Sequence, residues 1–324
     1  MLAQNEIQDY LNELESNGIQ LQLPELLRYK ALSSILKLSP NKGSQHNRSG
    51  MDRSTFKGRG MEFDEARFYQ PGDDIRSIDW RVTARTGKPH TKIFREERER
   101  PVFVFVDLSD SMQFGTQLLL KSVQAAHLAS LLGFAAVARG DKFGGVIFNQ
   151  TKDIESKPKA QNKSVLSVID QMIGLQQLTL TEGKSQSASL NALQRLNYIA
   201  KPGSLVHLIS DFSDFTDTHF NILGNLSRHC ELMANYVYDP LEIALPEIKS
   251  KQALMVTDGE NKQSIMLGDK DKNQMYRNTQ SRKVSLLHNR FSSIKTPIRK
   301  ISAGQPLSSQ LSMGNRGFVI GETL

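Results

Sequence analysis

Five consecutive apolar, β-favouring residues, Val102-Phe103-Val104-Phe105-Val106, run directly into Asp107-Leu108-Ser109-Asp110-Ser111. No other stretch limits the possible folds as strongly. An apolar run without alternation is a strand buried on both faces, the kind found in parallel sheets. Its Asp-x-Ser-x-Ser ending puts one carboxylate and two hydroxyls into a tight turn. All three are hard oxygen ligands of the type Mg²⁺ takes. In open α/β sheets ligands bind just beyond the carboxyl ends of the strands, and this turn sits there. The same residues also fit an Asx or Ser turn that caps the next helix. Taken alone, they leave both readings open.

The pattern recurs downstream. Leu205-Val206-His207-Leu208-Ile209 is a second buried strand, and it ends at Ser210-Asp211. Between the two, residues 116–139 carry Leu119, Val123, Ala126, Leu131, Phe134 and Val137 at helical spacing, with Gly140 as a stop. His127 in that helix and His207 in the second strand read as core residues. Strands are expected at 143–148, 151–154, 231–240 (closed by its Pro240) and 296–301, and helices at 162–173, 188–199 and 269–291. Asp258-Gly259 predicts a hairpin joining 253–257 to 263–267. Residues 1–38 predict two helices, the second led by Pro24, which pack on the main domain or on a partner. The polar Gly/Ser-rich stretch 39–60 predicts a mobile loop.

Composition narrows the class. With 324 residues and 38% hydrophobic content, the chain can bury one large core or two modest ones. Its single cysteine, Cys230, excludes an intramolecular disulfide and a cysteine-based zinc site, and suggests a reducing compartment. No apolar run is long enough to span a membrane, and the polar N-terminus does not resemble a signal peptide. The expectation is a soluble, cytoplasmic protein. Residues 271–324 hold nine Lys/Arg against two acids, which accounts for the whole net charge of +7. This basic segment lacks interleaved aromatics, so nucleic-acid binding is not expected to be its main role. P-loop and zincin motifs are absent from the sequence.

Residues 61–100 alternate acids and arginines with apolar residues, around a Pro71-Gly72 turn. They predict a small β-rich segment fixed by Arg–carboxylate pairs. Trp80 would be costly to expose in a linker, so this segment is expected to belong to the same folded unit as the sheet.

Two resemblances follow. Asp-x-Ser-x-Ser after a buried strand resembles the metal-ion-dependent adhesion site of von Willebrand factor type A domains. Phe63, Ala66-Arg67, Tyr69, Pro71-Gly72-Asp73-Asp74, Arg76, Ile78-Asp79-Trp80 and Ala84-Arg85, with Asp107 to Met112, resemble the bacterial family called domain of unknown function fifty-eight. The second resemblance implies a von Willebrand A-like fold and a partnership with MoxR-type AAA+ ATPases, but no reaction. The first implies a metal set of Asp107, Ser109, Ser111 and Asp211, closed by Ser187, or alternatively by Thr181. The loop holding Ser187 lacks a Gly-Gly-Thr pattern.

Together these readings predict an α/β protein with an open, mainly parallel, doubly wound sheet. The expected division is 1–57 (helices and loop), 58–100 (β-rich), 101–301 (sheet domain with a hairpin insertion near 240–268) and 302–324 (tail). The expected function is a non-catalytic protein-binding module. It would use Mg²⁺ or Mn²⁺ at the strand ends to meet a partner's carboxylate, the partner being a MoxR-type ATPase or a client protein. A metal-dependent hydrolase or phosphoryl-transfer enzyme is the first alternative, and polyanion binding through the basic segment is the second.

Overall fold

A computed structural model of the chain describes residues 4–33, 61–96, 99–179, 188–246, 252–257, 262–314, 317–320 and 322–323. The N-terminal residues form helices α1 (Gln4–Leu14), α2 (Leu23–Leu27) and α3 (Tyr29–Leu32). Pro24 opens α2 from its first turn, where a missing N–H costs nothing. A hairpin segment follows, with β1 (Met61–Phe68), α4 (Trp80–Thr86) and β2 (His90–Glu96). The main domain then runs β3 (Pro101–Asp107), α5 (Lys121–Ala138), β4 (Lys142–Phe148), β5 (Asp153–Lys159), α6 (Asn162–Thr179), α7 (Ala188–Ile199), β6 (Leu205–Ser210), α8 (Asp217–Leu226) and β7 (Glu231–Tyr238). After it come α9 (Pro240–Ile243), β8 (Gln252–Thr257), β9 (Lys262–Leu267), α10 (Lys270–Ser293), β10 (Ile298–Ser302), β11 (Leu311–Gly314), β12 (Gly317–Ile320) and β13 (Glu322–Thr323).

The chain divides into two compact units. One is Lys42–Glu99, and the other combines Met1–Asn41 with Arg100–Leu324. Placing 61–100 in the same unit as the sheet is therefore corrected. β1 and β2 pair antiparallel with each other and form a two-stranded sheet of their own. Trp80 is 68% exposed, against the expectation that it is buried. The predicted mobile loop, 39–60, lies outside the described residues.

Among the described residues the main sheet has the order β13-β10-β7-β6-β3-β4-β5. β10, β7, β6, β3 and β4 are mutually parallel, and the edge strands β13 and β5 are antiparallel. Side chains alternate across β3. Val102, Val104 and Val106 share a core with α5, α6, Leu26 and Tyr29, while Phe103 and Phe105 share the other with α7, α8 and Phe291 of α10. Helices thus cover both faces of the sheet, as the unbroken apolar run requires. Gly144 and Gly145 allow β4 to lie close to its neighbours. A Cβ on Gly145 would sit 2.3 Å from the Val104 carbonyl oxygen.

Three expectations shift in position. Helix α5 begins at Lys121, not at 116, because residues before it carry non-helical bonds: Leu119 N–H donates to Ala303 and Leu120 N–H to Gly18. Strand β5 covers Asp153–Lys159, and the tail, for which no elements were expected, holds the β11–β12 hairpin and β13. The hairpin arms β8 and β9 pair as predicted, with Asp258-Gly259 outside the described residues. The N-terminal helices pack on the main domain. Leu21 N–H donates to Gln176 Oε1 at 2.7 Å, and Gln176 Nε2 donates to the Ile19 carbonyl at 2.9 Å. His127 and His207 are both buried, as expected.

Candidate functional site

The chain places β4 and β5 to one side of β3, then returns to lay β6 on its other side. The carboxyl ends of β3 and β6 therefore flank a topological switch point, the usual place for a site in such sheets. Asp107 closes β3 and is almost fully buried. Its Oδ1 accepts the Ser109 N–H at 2.9 Å, the Asx turn that shapes the loop. Its Oδ2 accepts the Ser210 hydroxyl at 2.5 Å, tying the ends of the two strands together. Ser109 Oγ and Ser111 Oγ are 3.3 Å apart. Ser111 sits in a single 3₁₀ turn, Asp110–Met112, pinned by the buried Met112.

Asp211 follows β6 directly. Its Oδ1 accepts the Ser213 N–H at 3.0 Å, and its Oδ2 accepts Lys121 Nζ at 2.8 Å. The next residue, Phe212, has φ 55°, a left-handed conformation that is costly for a bulky side chain. Packing holds it there: the Phe212 ring lies against Phe215 and Phe291, and its N–H donates to Ser210 Oγ at 2.9 Å. Ser210 thus serves both carboxylate turns.

Lys121 is 1% exposed and also donates to Glu242 Oε1 at 2.6 Å. Glu242 belongs to the capping box of α9, where its Oε2 accepts the Asp239 N–H at 2.9 Å. The fully buried Asp239 accepts the Thr116 N–H at 2.8 Å and the Thr116 hydroxyl at 2.6 Å. The loop before α5 is therefore anchored to the end of β7.

Burial, and then the negative charge of Asp211, push the Asp107 carboxyl up to about 6. Burial also opposes ionisation of Asp211, but the Lys121 ammonium and the donors around it outweigh burial and hold its pKa below the usual range. Lys121 is raised, because its two carboxylate partners outweigh its desolvation. Two neighbouring carboxylates with divergent proton affinities mark a site where charge is finely balanced.

Asp107, Ser109, Ser111 and Asp211 are all at this edge, as expected. Ser187 and Thr181, the two candidates for the closing ligand, lie outside the described residues. Among the described residues no group of three His, Cys, Asp or Glu side chains forms a metal centre. The Asp107–Ser109–Ser111 set is entirely oxygen and fits a hard cation that keeps part of its water. Asp211 fits less simply, since one of its oxygens already holds an ammonium.

Sequence reasoning missed Lys121, Ser210, Thr116, Asp239 and Glu242. Lys121 did leave a signal. It opens an otherwise apolar helix at the end where the helix dipole disfavours a cation, so an acidic partner was implied.

A serine–histidine pair lies nearby. Ser189 Oγ is 3.1 Å from His219 Nε2. The Thr216 backbone N–H donates to His219 Nδ1 at 3.1 Å, so Nδ1 is an acceptor and Nε2 carries the proton. In that tautomer His219 donates to Ser189 and cannot take its proton. The pair links α7 to the N-terminus of α8. The buried Cys230 thiol is pushed up to about 11 by burial, which leaves it unreactive.

Residues 65–285 match the family model described as "Protein of unknown function DUF58". The chain belongs to the DUF58 family. Its relatives include the uncharacterized protein Rv1480 of Mycobacterium tuberculosis and the uncharacterized protein Mb1516 of Mycobacterium bovis. Each is 29% identical over 191 residues, covering 59% of this chain and 59% of the relative. The DUF58 chain thus spans about three fifths of the length of the curated relatives it matches. Among solved structures it is similar to BatB from Bacteroides thetaiotaomicron, at 11% identity and a TM-score of 0.35, over 60% of this chain and 98% of that one. It is also similar to an aerotolerance-related membrane protein from Bacteroides fragilis, at 16% identity and a TM-score of 0.37, over 56% of this chain and 88% of that one. Among the described residues of the DUF58 chain no helix is long and apolar enough to cross a membrane.

Proposed function

We propose that this DUF58 chain is a non-catalytic protein-binding module of von Willebrand A-like type, whose contact surface is the carboxyl edge of its sheet. Asp107, Ser109 and Ser111 would hold Mg²⁺ or Mn²⁺ there, with Ser187 or Thr181 as a further ligand. Asp211 would stand in the surrounding shell beside Lys121. When bound, the ion supplies a positive centre that accepts a carboxylate oxygen from a partner. The observation that carries this reading is Asp107 itself, a buried carboxylate raised to about 6 and ringed by hydroxyls at the switch point.

The family resemblance in the 61–85 segment supports a MoxR-type AAA+ ATPase, or its client, as the partner. The single buried cysteine supports a cytoplasmic setting.

Metal that binds only the folded protein must raise its stability. Millimolar Mg²⁺ should raise the melting temperature of the wild type and leave that of Asp107→Ala unchanged. Equal responses, or none with either Mg²⁺ or Mn²⁺, would remove the metal from this reading. Partner binding is then tested by co-purification with the ATPase, with and without chelator.

A further inference from the structure

We propose that the outer face of α4, with the turn before it, is a second docking surface, built for an acidic and partly apolar segment of a partner protein. This inference stands apart from the strand-end site and rests only on the unit Lys42–Glu99.

The acids described within 66–92, Asp73, Asp74 and Asp79, are engaged mainly in holding this segment's own structure. Asp73 is buried and accepts from Gln70 N–H at 3.0 Å and from Arg67 Nη2 at 2.9 Å. Asp74 caps the short turn 75–77 through the Arg76 N–H at 3.0 Å. Asp79 caps α4 through the N–H groups of Arg81 and Val82, at 3.0 and 3.2 Å. The expected lattice of Arg–carboxylate pairs is therefore reduced, among the described residues of 66–92, to the single pair Arg67–Asp73.

The cations of the stretch face outward. Arg76, Arg81 and Arg85 are exposed and have no ion pair among the described residues. Arg81 and Arg85 are four residues apart, so they share one side of α4. Trp80, next to Arg81, is 68% exposed, and Ala84 is exposed one turn after it; Ile75, in the turn before α4, is 65% exposed. Trp and Arg are the residue types that dominate binding energy at protein interfaces. A guanidinium free of internal partners is suited to bidentate pairing with a carboxylate.

The charge selects an acidic occupant, and the shape selects a protein. A helix of seven residues is only about 10 Å long, too short to track several successive phosphates. Ile75 and Ala84 add apolar area that a phosphate backbone would not use. An acidic peptide with spaced apolar side chains matches both features.

Trp80 is the only tryptophan in the chain, so its fluorescence reports this face directly. The test uses the full chain and a short synthetic peptide of Glu and Asp with Leu at every third or fourth position. Controls are the same peptide with Lys replacing the acids, and oligothymidylate. The expected result is a blue shift of Trp80 emission with the acidic peptide only. The double variant Arg81→Glu/Arg85→Glu should weaken that binding by at least about tenfold while keeping the wild-type circular dichroism and melting temperature. The proposal is overturned if the two peptides bind alike, if the double variant binds as wild type, or if oligothymidylate binds more tightly than the acidic peptide. It is overturned equally if Trp80 emission in the free chain is already blue and insensitive to acrylamide, since the face would then be covered by the chain itself.

Discussion

Lys121 Nζ lies 2.8 Å from Asp211 Oδ2, joining the first residue of α5 to the turn after β6, 90 residues away in sequence. The ammonium is buried at the helix end that repels cations, so the carboxylates of Asp211 and Glu242 must hold it there. In doing so it fixes a positive charge at the carboxyl edge of the sheet, beside Asp211.

Replacing Lys121 by Met should therefore destabilise the fold by about 3–5 kcal/mol, the cost of leaving a buried charge unpaired. Asp211 carries most of that cost, because Glu242 is partly exposed and can turn to water. The double variant Lys121→Met/Asp211→Asn should recover a large part of it. Urea unfolding of the two variants decides the point. A single variant as stable as wild type would show that the pair has no structural weight.

A second prediction concerns pH. Because the folded-state pKa of Asp107 is raised to about 6, the folded form binds more protons than the unfolded form between about 4 and 6. The contribution of Asp107 to stability is complete below that window and is lost as pH rises through it. Asp107→Asn removes this dependence. The stability of the variant relative to wild type should therefore climb from pH 4 to pH 6 and level off above. Denaturant unfolding across that range measures it, and a flat difference would contradict the assignment.

The N-terminal helices are expected to be integral to the main unit. Glu25, Tyr29 and His127 are all buried, with Tyr29 Oη 3.0 Å from His127 Nδ1 and Glu25 Oε2 3.5 Å from His127 Nε2. Leu26 is fully buried in the same core. Leu26→Ala should cost about 2–5 kcal/mol, and Tyr29→Phe about 1–2 kcal/mol, since it strands a buried ring nitrogen. If both changes are silent in urea melts, residues 18–33 contribute nothing to the core.

Gly145→Ala should be among the most damaging small substitutions. Its Cβ would meet the Val104 carbonyl oxygen at 2.3 Å, and neither strand can move without breaking the ladder. We expect a loss of about 3 kcal/mol, the upper end of overpacking costs, read as a drop in soluble yield and melting temperature. Gly174→Ala is the matched control, with open space around its Cβ position and no such cost.

The strands and helices of the main domain were legible in the sequence because their causes are local. An unbroken apolar run specifies a two-sided buried strand, as at 102–106, and 205–209 follows the same pattern with only His207 interrupting it. Apolar residues at helical spacing, followed by Gly140, specify α5 and its end. The Asp-x-Ser-x-Ser turn was readable for the same reason, since the bonds within it span two or three residues. What depends on distant parts of the chain was not readable. Residue type says that Lys121 needs an acid, but only the parallel pairing of β3 with β6 brings Asp211 to it. Asp73, Asp74 and Asp79 looked like partners for the arginines, but the fold uses them mainly on backbone N–H groups, with Arg67 alone paired to Asp73 among the described residues, and Trp80, Arg76, Arg81 and Arg85 stay exposed. A sequence records which groups must be satisfied. Which group satisfies them is decided by the tertiary structure, because a charge or hydrogen bond is made with whatever neighbour packing delivers within about 3 Å.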